Sequence, residues 1–225
     1  MLKLIENISI DCVIFGFEDN KLKVLLIKRN IEPRKGWMAL PGGFIRSNEN
    51  LNTASRRILW ELTGIQDLYM EQVHTFGDVD RYPDRRVITV AYVALININN
   101  FKLTPGNEVM DVQWQDINEL PELPFDHYEI FKYALNQLRR RVRHEPVGFN
   151  LLPNKFTLSQ LQSLYEAILD TKFDKRNFRR KIHRMNFLID LEEKQQNVPH
   201  RAAKLYSFDA ENYKRLKEKG FNFDL

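Results

Sequence analysis

The chain of 225 residues is poor in the features that mark secreted and membrane proteins. Its single cysteine, Cys12, lies in an apolar run, so it forms no intrachain disulfide and is expected to be a small buried side chain. No apolar stretch approaches the ~20 residues that a membrane helix needs. The first twenty residues carry several acids and lack the basic and apolar regions of a signal peptide. We therefore expect a cytoplasmic globular protein.

A second shortage concerns glutamate within a motif between residues 43 and 65. The motif resembles the Nudix hydrolase signature: Gly, five residues, Glu, seven residues, then Arg-Glu-apolar-x-Glu-Glu-x-Gly-apolar. The chain matches this signature at Gly43, Glu49, Arg57, Leu59, Glu61, Gly64 and Ile65. Ile58 and Leu62 stand where two of the three clustered glutamates belong.

Positions 58, 61 and 62 are three and four residues apart, so they are expected to share one helix face. In a Nudix enzyme this face holds Mg²⁺, a hard cation that prefers oxygen ligands. Glu61 between two apolar residues is a poor ligand set for that ion. The resemblance therefore implies a Nudix fold without a bound metal or hydrolase activity. The alternative for the segment alone is an ordinary amphipathic helix in which Arg57 pairs with a surface glutamate.

The pattern of residues 1–145 predicts a mixed sheet with helices. Apolar and β-branched runs predict strands at residues 9–17, 22–29, 37–44, 72–76, 87–97 and 110–114. The motif helix is predicted at residues 51–63, with Gly64 as its C-terminal cap, and a further helix at 126–143. Pro41-Gly42-Gly43 is expected to turn the chain tightly into the motif helix. These elements predict an α/β/α sandwich within an α+β protein.

Pro146 and Gly148 disfavour continuation of the second helix, and we place a domain boundary there. Two domains are predicted, residues 1–145 and residues 146–225. The first carries 19 basic and 20 acidic residues, and the second carries 15 basic and 10 acidic residues. The N-terminal domain is nearly neutral and the C-terminal domain is basic, which indicates that the C-terminal domain binds a polyanion.

The order of elements in residues 146–225 is that of a winged helix-turn-helix. Thr157 and Gln160 form a capping-box pattern that begins a helix with an apolar stripe. Asp174 is placed to cap a second helix that runs to about residue 185. Short strands at 187–191 and 203–208 then flank a polar loop, which predicts a β-hairpin wing.

The second helix of this half is strongly basic on its outer side. Residues 172–184 contain seven basic residues and one acid, while Phe178, Ile182 and Met185 are spaced as its buried side. A helix fits the DNA major groove, where arginine reads guanine edges and basic side chains neutralise phosphates. The predicted DNA-binding residues are Lys172, Lys175, Arg176, Asn177, Arg179, Arg180, Lys181 and Arg184, with Lys194, His200, Arg201 and Lys204 on the wing. The alternative is a solvated charged helix, which usually carries mixed signs.

Among these residues, Arg176, Asn177 and Arg180 are the predicted base readers, because they lie toward the N-terminal half of the helix. Lys172, Lys181 and Arg184 are predicted to contact phosphates. Asn177 has the amide suited to adenine.

The whole chain resembles the Nudix-related transcriptional regulators of the NrtR type, most closely the branch that includes the arabinose regulator AraR of Bacteroidetes. Three segments carry the likeness: EPVGFNLLP at 145–153, FTLSQLQSLYEAI at 156–168 and DKRNFR at 174–179. The resemblance implies a homodimer whose Nudix domain senses ADP-ribose or a pentose sugar and whose winged helix leaves operator DNA when that effector binds. No cofactor is implied.

The identity of the effector stays open at this point. Candidate ligand-binding residues flank the predicted Gly43 turn: Asp11, Lys28, Arg29, Trp37, Gly43, Asp80, Arg81 and Arg86. Convergent polar groups of this kind orient a small ligand within a largely apolar pocket.

Two other functions remain as alternatives. An active Nudix hydrolase would need a displaced base, such as Glu71, Glu108 or Asp111, and metal ligands that Ile58 and Leu62 do not provide. An RNA-binding Nudix protein would explain the basic helix but not the hairpin wing.

Overall fold

The computed structural model describes residues 4–196, 199, 201–221 and 223. The chain separates into two compact units, which are described one at a time. The first comprises Met1–Gly16 and Lys23–Asn136; the second comprises Phe17–Leu22 and Gln137–Leu225. Within the described residues, no helix is both long enough and apolar enough to cross a membrane.

A mixed seven-stranded sheet forms the framework of the first unit. Its strands are β1 (Leu4–Glu18), β2 (Lys21–Arg29), β3 (Met38–Ala39), β4 (Gly42–Arg46), β5 (Glu71–Phe76), β6 (Ile88–Leu95) and β7 (Val109–Asp116). The order is β3-β2-β1-β6-β5, with β4 paired to β1 and β7 paired to β2. Strands β1 and β6 run parallel, whereas β4 pairs with β1, β3 and β7 pair with β2, and β5 pairs with β6 in antiparallel fashion.

Two helices, α1 (Leu51–Thr63) and α2 (His127–His144), pack on opposite faces of this sheet. Successive side chains of a strand point to opposite faces. Ile10, Cys12 and Ile14 of β1 accordingly join the core that contains the buried face of α1. On the other face, Phe15 packs its ring against Phe131 of α2, with centroids 6.1 Å apart. The α/β/α arrangement is thereby confirmed.

The second unit has the helices and hairpin of a winged helix-turn-helix. A short 3₁₀ helix (Pro146–Leu151) follows α2, and then come α3 (Leu158–Leu169), α4 (Lys175–Met185), β8 (Leu188–Lys194), β9 (Lys204–Phe208) and α5 (Ala210–Glu218). Thr157 and Gln160 form the predicted capping box at the start of α3, and the Asp174 side chain caps α4. Phe178, Ile182 and Met185 form the buried side of α4, as predicted.

The structure differs from the sequence predictions in two places. Gly42 and Gly43 do not turn the chain into α1, because they begin β4 and pair with β1 opposite Asp11 and Ile10. The chain turns instead at residues 47–50, where Asn50 caps α1. Helix α5 was not predicted. The boundary predicted after residue 145 stays a prediction; the division between the two compact units falls within α2.

Candidate functional site

The matched Nudix residues form a network of ion pairs between α1 and the segment that precedes it. Arg57 donates to Glu49, to Glu61 at 2.7 Å and to the carbonyl of Phe44 at 3.1 Å. Arg46 donates to the other oxygen of Glu61 at 2.9 Å. The hydrogen bond from Arg57 holds the pKa of Glu49 below its ordinary value. Both oxygens of Glu61 are thus engaged by arginines, which is a structural role.

Ile58 and Leu62 occupy the core beside this network. Their exposed fractions are 2% and 7%, so both belong to the buried face of α1. Ile58 lies directly beneath Gly43, since a Cβ added to that glycine would be 3.5 Å from its side chain. Glu61, by contrast, is about one-third exposed, so the three positions do not share one environment. The position that carries a carboxylate in the motif is filled by hydrocarbon.

A buried polar cluster lies on the opposite face of the sheet, around Asp11. Thr89 donates to its Oδ2 at 2.7 Å, and the Arg81 guanidinium lies 3.5 Å from the same oxygen. Arg81 also forms a two-pronged pair with Asp126, at 2.8 and 2.7 Å. Gly42 is needed here, because a Cβ at that position would collide with the Asp11 carboxylate. The cluster joins strands β1 and β6 to the start of α2.

His127, the first residue of α2, completes the polar cluster. The backbone N–H of Leu40 donates to its Nδ1 at 3.0 Å, and its Nε2 lies 3.5 Å from Asp11. Burial lowers the pKa of the His127 imidazole, which favours the neutral ring. Because Nδ1 accepts a hydrogen bond, the neutral ring carries its proton on Nε2, facing the carboxylate.

Half-buried aromatic rings with attached arginines lie near this cluster. Tyr82 stacks on Phe125 with ring centroids 4.9 Å apart, and Phe44 meets Tyr82 edge-on. The Arg85 guanidinium lies 4.8 Å above the Phe44 ring, and that of Arg29 lies 5.5 Å from the Phe125 ring. Phe125 has a φ of 59°, which is unfavourable for a bulky residue, and strained backbone of this kind clusters at functional sites. Flat rings bordered by cations suit a ligand that has a planar group and negative charge.

The structure unites some of the predicted ligand-binding residues and separates others. Asp11 and Arg81 are in contact, and Arg29 is within electrostatic reach of Asp11 and His127. Trp37 is half-buried beneath the Arg34 guanidinium, 4.7 Å away. Lys28 is exposed on β2, and Asp80 and Arg86 are exposed in the loop before β6.

Asp126, His127, Tyr82 and Phe125 were missed by the sequence prediction. Asp126 was read only as the start of a helix. Its contact with Arg81 spans 45 residues, so no local spacing reveals it.

Helix α4 presents most of its predicted DNA-binding residues to solvent. Lys175, Arg176, Asn177, Arg180, Lys181 and Arg184 are exposed. Arg180 donates to the Asn177 side chain at 2.8 Å, which restricts both groups before any ligand arrives. Asp174 is the one acid between residues 172 and 184, and its side chain is bound to the helix N-terminus. The exposed surface of α4 is therefore positive along its whole length.

Other predicted DNA-binding residues have partners within the unit. Arg179 is half-buried and donates to the Ser159 hydroxyl of α3 at 3.2 Å, so it also joins the two helices. Lys172 pairs with Glu166 at 3.2 Å, and Lys204 pairs with Asp190 across the wing at 2.9 Å. Lys194 lies opposite Lys204 in the backbone register of the hairpin, and Arg201 is exposed. His200 lies outside the described residues.

The fold and these surfaces define a protein with an N-terminal Nudix domain and a C-terminal winged helix. The NUDIX domain family matches residues 6–134, and the NrtR DNA-binding winged helix domain family matches residues 148–208. The ADPR responsive transcriptional repressor NtrR of Acinetobacter baylyi is 32% identical over 209 residues, which cover 91% of this chain and 83% of that protein. The chain belongs to the NrtR-type family of Nudix and winged-helix regulators.

Solved structures show the same relationship. Shewanella oneidensis NrtR, complexed with a 27mer DNA, has a TM-score of 0.78 at 30% identity and covers 97% of this chain and 99% of its own. The Nudix domain of the same protein, complexed with ADP ribose, has a TM-score of 0.55 at 33% identity over 59% of this chain and 88% of its own.

Proposed function

We propose that this chain is a transcriptional repressor that binds operator DNA through α4 and the β8–β9 wing and is released by ADP-ribose bound in its Nudix domain. The observation that carries the DNA-binding part is the positive exposed surface of α4. Phosphate attraction supplies affinity and arginine contacts to base edges supply specificity. The similar repressor and the similar DNA complex support the same function.

The choice of ADP-ribose rests on the chemistry around the polar cluster. Arg29, Arg81 and Arg85 bring three guanidinium groups to a region bordered by Tyr82 and Phe125. A diphosphate is bound well by the planar fork of arginine, and a base stacks on aromatic rings. The similar Nudix domain that holds ADP ribose supports this choice. The arabinose branch, with a pentose as effector, is the competing assignment.

Signal sensing rather than hydrolysis is proposed for the Nudix domain. Ile58 and Leu62 bury hydrocarbon where the motif has carboxylates, and both oxygens of Glu61 are bound by arginines. A hard divalent cation needs several oxygen ligands, and these positions offer few. The second candidate function, ADP-ribose hydrolysis, would need a different metal site.

Assembly and location follow from the proposed function. Two winged helices on a palindrome multiply the affinity of each, so we propose a homodimer on two half-sites. Because the target is chromosomal DNA, we propose that the protein acts in the cytoplasm. We also propose the boundary after residue 145 as the place where the two functions divide.

One experiment tests the proposal. The wild-type chain is used to select duplexes from a random library, and binding of the selected duplex is followed by fluorescence anisotropy. ADP-ribose without added metal should weaken binding, whereas L-arabinose should not. Release by arabinose alone would reassign the effector, and failure to select any sequence would contradict the DNA-binding function. Intact ADP-ribose after incubation with magnesium is the expected result of the parallel hydrolysis assay.

A further inference from the structure

The Arg81–Asp126 pair has an orientation that matters for effector binding. The side chain of Arg81 is 4% exposed, while that of Asp126 is 18% exposed. Asp126 is therefore the more exposed partner, and it occupies the Nε and Nη2 donor edge of the guanidinium. An anion can bind this edge of Arg81 only by displacing the carboxylate. A phosphate group presents oxygen atoms with the same spacing that this edge of arginine prefers.

Asp126 is also tied to the start of α2. Its backbone carbonyl accepts the N–H of Ile130 at 3.0 Å, in the first turn of the helix. The next residue, His127, is held by Leu40 and lies beside Asp11. Movement of the Asp126 side chain away from Arg81 therefore acts on the first turn of α2. Helix α2 has 18 residues and is about 27 Å long, so it is a stiff element of considerable reach.

The C-terminal part of α2, from Gln137 on, belongs to the second unit. Arg139 donates from Nε to the carbonyl of Ile168 at 2.8 Å, in the last turn of α3. From α3, Glu166 accepts the N–H of Phe173 at 2.9 Å and Gln162 donates to the Phe173 carbonyl at 2.9 Å. Phe173 immediately precedes the Asp174 cap of α4. A chain of hydrogen bonds thus connects the end of α2 to the start of α4, the recognition helix of the proposed function.

We propose that an anionic group of the effector replaces Asp126 on Arg81, and that α2 transmits this exchange through Arg139 to α3 and the recognition helix. This inference rests on the proposed function, and it assigns the residues through which effector binding and DNA release are coupled. The displaced Asp126 carboxylate is repelled by the incoming anion, which shifts the first turn of α2. The change in operator affinity is the coupling between the two sites, and it is reciprocal.

The main test uses the isosteric variant Asp126→Asn, which removes the competing charge and keeps hydrogen-bonding capacity. Operator binding is measured by anisotropy with and without ADP-ribose, and ADP-ribose binding is measured by calorimetry with and without operator. Wild-type coupling is expected to be about 5- to 150-fold in both measurements. The variant should bind ADP-ribose at least about 5-fold more tightly and bind free operator more weakly, and its coupling factor should approach one.

A matched control is available on the same helix. Glu129 pairs with Lys132 at 3.6 Å, and its side chain is 62% exposed. Glu129→Gln makes the same chemical change without touching Arg81 and should leave both affinities and the coupling factor unchanged. Arg139→Met tests the far end: ADP-ribose affinity should stay at the wild-type value while the coupling factor falls. Circular dichroism establishes that each variant is folded.

The outcomes separate this inference from the proposed function. If ADP-ribose releases the wild type and Asp126→Asn behaves like Glu129→Gln, the exchange at Arg81 is wrong while the repressor function stands. If L-arabinose, which carries no charge, releases the wild type equally well, the anion exchange is also wrong. If ADP-ribose neither binds nor releases the wild type, the proposed effector fails and the exchange fails with it.

Discussion

Replacement of Arg176 by alanine is the most informative perturbation of the recognition helix. Arg176 is exposed in the first turn of α4, on the side away from Phe178 and Ile182. A two-pronged contact between arginine and guanine contributes about 1–3 kcal/mol of discrimination. On an operator with two half-sites the loss is about 2–6 kcal/mol, which corresponds to roughly 30-fold to 20,000-fold weaker binding. The loss should be confined to one base pair in each half-site.

Arg184→Ala provides the contrasting variant at the other end of α4. Arg184 is exposed, and a phosphate contact at this position carries no sequence information. Its loss should weaken binding to the operator and to unrelated DNA alike. It should also lower the slope of log K against log salt by about 0.9 per contact, or about two units for two half-sites.

The assay measures anisotropy with the selected operator, single-base variants and a scrambled duplex over a range of salt concentrations. Arg215→Ala on α5 is the charge control, because Arg215 is an exposed arginine outside the recognition helix. Arg179 is left intact, since it bonds Ser159 and its replacement would loosen α3 from α4. If Arg176→Ala keeps the wild-type base preference at every position, α4 does not read bases as we infer.

Three further predictions concern stability. Ile58→Glu should lower the free energy of unfolding by ~3 kcal/mol or more, because it places a carboxylate at a core position that is 2% exposed. Chemical denaturation measures this loss, and added magnesium should not restore the stability of the variant. The pKa of Glu49 is lowered in the folded state, so its stabilising contribution is complete above the ordinary carboxyl pKa and is lost as pH falls through the lowered value. The variant Glu49→Gln should therefore lose less stability on acidification than the wild type, as measured by denaturation over a range of pH. Thr157→Ala removes the cap of α3 and should cost about 1 kcal/mol in thermal or denaturant unfolding, with an unchanged slope against denaturant.

Local signals in the sequence were sufficient for α1, α3 and α4, although not for α5. The bounds of α1 and its cap Gly64, the capping box of Thr157 and the cap Asp174 were all predicted correctly. These features depend on side chains and backbone groups three or four residues apart, so their partners are visible in the sequence itself. The loss of the motif glutamates was equally plain, because a missing carboxylate at residue 58 does not depend on tertiary structure.

The tertiary structure alone decided which polar residues meet. The contacts of Asp11 with Thr89 and Arg81 span 78 and 70 residues, and the hydrogen bond between Leu40 and His127 spans 87. Spacing along the chain carries no information about such pairs. The pairing of Gly42 and Gly43 with β1 was missed for the same reason, since β1 is distant in the sequence and the glycines themselves are typical of turns. Arg179 shows the same division: its charge was evident in the sequence, but its hydrogen bond to α3 depends on how two helices pack.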